Sequence, residues 1–146
     1  MSIFFLDTSA LVKQYRQEQG TAQVQSLFDN AEHELIISEL ALVEFASAFQ
    51  RLLNRGEIDE AKMTHAVGKF DADAASRFTI VELRGGLVQH ARTLLQQHKL
   101  RALDALQLAA VLSAKQRAPV FVSADERLIQ AAQAHGLSTF NPVSSV

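Results

Sequence analysis

The chain has 146 residues, 48% of them apolar and 21% charged, which is the size and balance of one ordinary globular domain able to bury a core without staples. It has no cysteine; disulfides and thiolate metal sites are excluded, and a reducing, cytoplasmic setting is the expectation. A formal net charge of −2 excludes a globally basic nucleic-acid binder, so any phosphate contact must rest on local Lys and Arg or on bound cations.

The first apolar run, Ile3–Leu6, is cut short by Asp7 and has no basic run before it. It reads as a strand, and as neither a signal peptide nor a membrane span. Asp7 then stands at the carboxyl end of a first strand. Because Thr8, Ser9 and a helical Ala10–Arg16 follow, it serves equally well as a helix N-cap. Val24, Leu27, Phe28 and Ala31 follow the spacing of one buried helical face.

Leu35–Ile37 is a second strand. A helical pair follows, Glu39–Leu53 and Asp59–Ser76, broken at Asn54-Arg55-Gly56, where Gly56 suits a helix C-terminus. Glu44 has Leu40 and Ala48 one turn away on either side, with Val43 and Ser47 flanking. A carboxylate on an apolar face needs a partner, either Arg51 or Lys13 in a salt bridge, or a cation. Glu39, in the first turn, complements the helix dipole.

Thr79–Leu83 is a third strand, and Gly85-Gly86 reads as a turn before a helix carrying Leu87, Val88, Ala91, Leu94 and Leu95. The stretch from Leu103 to Ala114 is apolar on most sides, as in a deeply packed helix. Asp104 shares a face with Leu108, Val111 and Leu112, and with Gln107 it fits a capping box. Val120–Val122 is a fourth strand. After it, Ser123 and Glu126 form a capping-box pair that leaves Asp125 without a structural task. Ser138–Phe140 is the fifth strand. Pro119 and Pro142 sit at element edges.

These strands do not alternate apolar with polar, as suits parallel strands covered by helices on both faces. Residues 1–146 therefore read as a single α/β domain with a mostly parallel sheet, whose ligands bind at the carboxyl ends of the strands. Asp7, Glu44, Asp104 and Asp125 each have a bland explanation. Together, three follow strands or open helices at one sheet edge, and the fourth faces that core. Carboxylates gathered in one cleft repel each other, and Mg²⁺ or Mn²⁺, which favour oxygen ligands, removes that penalty. Such ions activate water against a phosphodiester. The histidines show no zinc spacing, and there is no Gly-x-Ser-x-Gly elbow, Walker loop or Gly-x-Gly-x-x-Gly.

At Leu6–Lys13, Ser38…Glu44, Leu100–Ala109, Phe121–Leu128 and Gly136-Leu137…Asn141-Pro142, the sequence resembles the PIN-domain family and, within it, the VapC toxins of toxin–antitoxin pairs. The resemblance implies a Rossmann-like three-layer α/β/α sandwich and Mg²⁺- or Mn²⁺-dependent endoribonuclease activity. It assigns the catalytic, metal-holding cluster to Asp7, Glu44, Asp104 and Asp125, with Thr8, Ser9 and Ser123 in support. Asp7 and Asp104 would hold the main ion, and Arg101 and Lys13 would steady the phosphate. The implied partners are an RNA substrate, a cognate antitoxin and a second copy in a homodimer. The apolar residues Phe45, Phe49, Leu52, Leu53, Met63 and Phe70 would then be either an antitoxin-binding arm or core. Gln107 departs from the histidine many relatives carry. The alternative to an enzyme is a non-catalytic RNA- or protein-binding PIN-like module.

Overall fold

The computed structural model describes residues 2–144. Five strands, β1 (Ile3–Leu6), β2 (Glu34–Ser38), β3 (Phe78–Val81), β4 (Val120–Val122) and β5 (Ser138–Phe140), form one sheet in the order β3-β2-β1-β4-β5. Every pairing is parallel, with Phe5 opposite Ile36 and Phe121, and Leu6 opposite Val122. The helices are α1 (Thr8–Leu11), α2 (Thr21–Asp29), α3 (Leu40–Asn54), α4 (Glu60–Ser76), α5 (Gly85–His98), α6 (Ala102–Ser113) and α7 (Glu126–Ala134).

Side chains alternate across a strand, so neighbouring strand residues feed two separate cores. Phe5, Ile36 and Phe121 pack against α5, α6 and α7 through Leu94, Leu108 and Leu128. Leu6, Leu35, Ile37 and Val122 pack on the other face against α1 to α4, through Leu11, Val24, Phe45 and Phe70. The result is the expected α/β/α sandwich with a sheet apolar on both faces. Among the described residues no helix is long and apolar enough to cross a membrane.

Helices α3 and α4 form a hairpin. Ala41, Phe45 and Phe49, spaced four apart, make the buried stripe of α3. Phe45 stacks on Phe70 of α4 with centroids 4.1 Å apart, and the Tyr15 ring meets both edge-on. Phe45, Phe49 and Phe70 are therefore core, and only Leu52, Leu53 and Met63 remain partly exposed. Gly56 closes α3 at φ +75°, a left-handed conformation that glycine adopts without strain.

Several local expectations are corrected. Gly85 and Gly86 are the first two residues of α5 rather than a turn before it. The helix expected over Ala10–Arg16 is the short α1 followed by a 3-10 turn at Val12–Gln14. Strand β3 stops at Val81; Leu83 N–H donates instead to Glu39 Oε1 at 3.0 Å, giving Glu39 a specific bond beyond its dipole role. Ala31 lies beyond α2, and Val88 and Leu95 are exposed on α5.

Candidate active site

In the sheet order, the connection from β1 leads to β2 on one side, while β4 flanks β1 on the other. Opposite departures leave a crevice at the carboxyl ends of β1 and β4, the switch point where open α/β sheets bind ligands. A cleft of about 880 Å³ lies here, and Asp7, Glu44, Asp104 and Asp125 all line it.

Asp7 follows β1, caps α1 and is 4% exposed. Its Oδ1 accepts from Ala10 N at 3.0 Å and Ser9 Oγ at 2.7 Å, and its Oδ2 accepts from Ser123 Oγ at 2.7 Å. Even so, burial pushes its carboxyl up to about 6; the three hydrogen bonds oppose the rise and Glu44 adds to it. Ser9 Oγ also accepts from Ala124 N at 3.0 Å, so Ser9 and Ser123 tie the ends of β1 and β4 together.

Glu44 projects from the face of α3 next to the buried stripe. Its flanking Val43 is 69% exposed, so the apolar surroundings read from sequence are a cleft wall rather than core. Its Oε1 accepts from Gln107 Nε2 at 2.8 Å and Thr8 Oγ1 at 3.0 Å. Neither expected salt bridge forms: Arg51 donates to Ser47 Oγ, and Lys13 is buried against Glu18 at 2.8 Å. Burial holds the Glu44 carboxyl above its ordinary range; Gln107 and Thr8 pull it down, Asp104 pushes it up, and Arg51 pulls it down.

Asp104 is the third residue of α6 and is half-buried. Its expected capping box with Gln107 is absent, because the helix starts at Ala102 and Gln107 turns to Glu44 instead. Among the described residues nothing hydrogen-bonds its carboxylate. Burial raises its pKa and Asp125 raises it further, while Arg101 and Arg127 oppose. Asp125 is itself the N-cap of α7, its Oδ1 accepting from Arg127 N at 3.0 Å and Leu128 N at 3.3 Å. The expected Ser123–Glu126 box therefore gives way: the Ser123 hydroxyl donates to Asp7 and accepts from Asp125 N.

The four acids thus meet in a chain of repulsions, Asp7 with Glu44, Glu44 with Asp104, and Asp104 with Asp125. Among the described residues no three His, Asp or Glu draw close enough to enclose an ion by themselves. Arg51 and Arg101 stand in the cleft wall. The sequence offers Arg51 only as a partner for Glu44. Its place seven residues further along α3, on the same helical face, was the signal for its cleft position.

The PIN domain family model matches residues 4–134. The chain belongs to the PIN-domain family. Ribonuclease VapC45 of Mycobacterium tuberculosis is 32% identical to this PIN-domain chain over 137 residues, covering 93% of each. Two solved structures share the fold. The toxin–antitoxin complex from Klebsiella pneumoniae matches with a TM-score of 0.64 and 19% identity, over 95% of this chain and 97% of that one. The structure of Mycobacterium tuberculosis VapC20, described as a sarcin–ricin loop cleaving toxin, matches with a TM-score of 0.66 and 18% identity, over 93% and 96%.

Proposed function

We propose that this PIN-domain chain is a metal-dependent endoribonuclease of the VapC toxin type, restrained by a cognate antitoxin. The observation that carries the reading is the meeting of Asp7, Glu44, Asp104 and Asp125, from four separate elements, around one cleft at the switch point of the sheet. The ribonuclease name of its 32%-identical relative and the toxin–antitoxin complex that shares its fold support the biological setting.

The donor set suits a hard divalent cation. Its ligands are all carboxylate oxygens, three of the four acids are pushed up by burial and mutual repulsion, and a cation relieves both costs. Asp7, Glu44, Asp104 and Asp125 would hold Mg²⁺ or Mn²⁺. Because among the described residues no three of the acids lining the cleft enclose an ion by themselves, the ion would keep several waters, as Mg²⁺ does. When bound, it supplies a polarised water and offsets charge on a phosphodiester attacked in line. The protein's own part is orientation and charge. Ser9, Ser123 and the Ala10 N–H fix the Asp7 carboxylate. Arg51 and Arg101 offer guanidinium groups to the phosphate, whereas Lys13 is spent on Glu18. If the substrate is an exposed RNA loop, its recognition rests on shape and splayed bases.

The test is RNA cleavage with Mg²⁺, with chelator, and with Asp7→Asn or Asp104→Asn. Chelation abolishes cleavage, and each variant loses more than the roughly 10–100-fold that removal of a supporting outer group costs. Full activity in either variant refutes the assignment. That no three acids among the described residues enclose an ion by themselves favours one rival, a non-catalytic RNA- or protein-binding module. Calorimetric titration with Mn²⁺ separates the two, since only the enzyme requires the ion.

A further inference from the structure

Gln107 lies on α6 one turn beyond Asp104, lines the cleft and is 2% exposed. Its Nε2 donates twice, to Glu44 Oε1 at 2.8 Å and to Thr8 Oγ1 at 3.2 Å. Thr8 Oγ1 in turn donates to Glu44 Oε1 at 3.0 Å. Side chains from α1, α3 and α6 therefore close a ring of hydrogen bonds on one oxygen of one carboxylate. Glu44 Oε2 takes no hydrogen bond among the described residues.

The ring has a cost. Gln107 Oε1 is buried and has no hydrogen-bond partner among the described residues, and an unpaired buried acceptor costs about 1–3 kcal/mol. Turning the amide over does not recover this, because it sets the carbonyl oxygen against Glu44 Oε1, acceptor against acceptor. The Thr8 hydroxyl has a single proton to donate, and its hydrogen bond goes to Glu44 Oε1. The orientation is the one that lets Glu44 Oε1 accept from both donors. A side chain kept here for packing alone would be methionine or leucine, which fill similar volume and orphan nothing.

We propose that Gln107, together with Thr8, is a positioning residue that pins Glu44 through Oε1 and so leaves Oε2 as the atom offered to a divalent cation and its waters. The inference rests on the metal-dependent reading of the cleft. Groups that orient a metal-binding carboxylate typically govern affinity by about 10–100-fold.

The experiment is calorimetric titration with Mn²⁺ of the wild type, Gln107→Met and Thr8→Val, with thermal melting of each in chelator and RNA-cleavage kinetics alongside. Gln107→Met is expected to weaken Mn²⁺ binding about 10–100-fold and to lower kcat with KM unchanged. Its melting temperature stays within a few degrees of the wild type, since loss of the bonds to Glu44 and Thr8 is offset by removal of the orphan acceptor. Thr8→Val, which removes one of two donors to Glu44, weakens Mn²⁺ less. Wild-type Mn²⁺ affinity in Gln107→Met overturns the positioning role and leaves the metal reading standing, whereas a wild type that takes up no Mn²⁺ overturns both. A fall in melting temperature that parallels the loss of affinity in both variants assigns Gln107 to packing and also overturns the inference. If Gln107→Met does not fold, Thr8→Val decides: undiminished Mn²⁺ affinity there is fatal.

Discussion

Asp7 receives three hydrogen bonds, yet burial still carries its carboxyl up to about 6 from its ordinary 3.8. For an acid, a raised folded pKa means that the native state binds more protons than the unfolded chain between those two values. Stability from this group is therefore fully present below pH 3.8 and is lost as pH rises through about 6. Two pKa units amount to about 3 kcal/mol. Asp7→Asn keeps the shape and the Ala10 N–H bond without the charge. Melting in chelator at pH 7.5 should place this variant several degrees above the wild type, with the gap closing near pH 4; a variant that melts lower contradicts the burial argument. At this scale the sequence was informative about residue type and poor about partners. It marked Asp7, Glu44, Asp104 and Asp125, but assigned Asp125 no structural task although it caps α7, and offered Lys13 to phosphate although it is buried against Glu18. Those choices depend on which neighbours arrive from distant segments.

Among the elements, α5 and α7 meet where His98 and His135 bring their Nε2 atoms to 2.8 Å. One imidazole must be neutral to accept, so the contact fails when both are charged. Burial lowers the His135 pKa below 6.5, and His98, His90 and Lys115 lower it further. A depressed histidine contributes stability that is present above pH 6.5 and lost as pH falls through its folded value. Between pH 7 and 5 the raised carboxylates of the cleft set a slope of their own, so the histidine is read as a difference: wild-type melting temperature should fall relative to that of His135→Gln over that range. An unchanged slope in the variant dissolves the link. The α3–α4 hairpin rests on the Phe45–Phe70 stack. Phe70→Ala should cost about 3–5 kcal/mol in denaturant unfolding, leaving the cleft residues untouched. Element type and order were legible because apolar periodicity is local. Ends were less so: Gly85-Gly86 begins α5 because no following residue forces a turn, and the Glu39 bond to Leu83 N–H ends the β3 region early.

For the whole molecule, net charge is −2, so any attraction to the proposed RNA substrate must come from the few cations beside the cleft. Arg101→Ala should weaken RNA binding and reduce the slope of log affinity against log salt by about one, the contribution of a single phosphate contact. An unchanged slope removes Arg101 from the interface. The fold also explains why four acids scattered from residue 7 to residue 125 can act together. Parallel strands all end on one side, and the reversal between β2 and β4 about β1 opens the crevice there.

Strand composition and helical spacing, which act over a few residues, were enough to determine the α/β class and the five strands and to mark four acids as candidates. Only the folded chain decided that Gln107 and Thr8 grip Glu44, that Ser9 and Ser123 bind the ends of β1 and β4, and that Val43 faces solvent. Those contacts join residues up to 116 positions apart, and no local pattern encodes a hydrogen bond whose two ends meet only after the sheet has assembled.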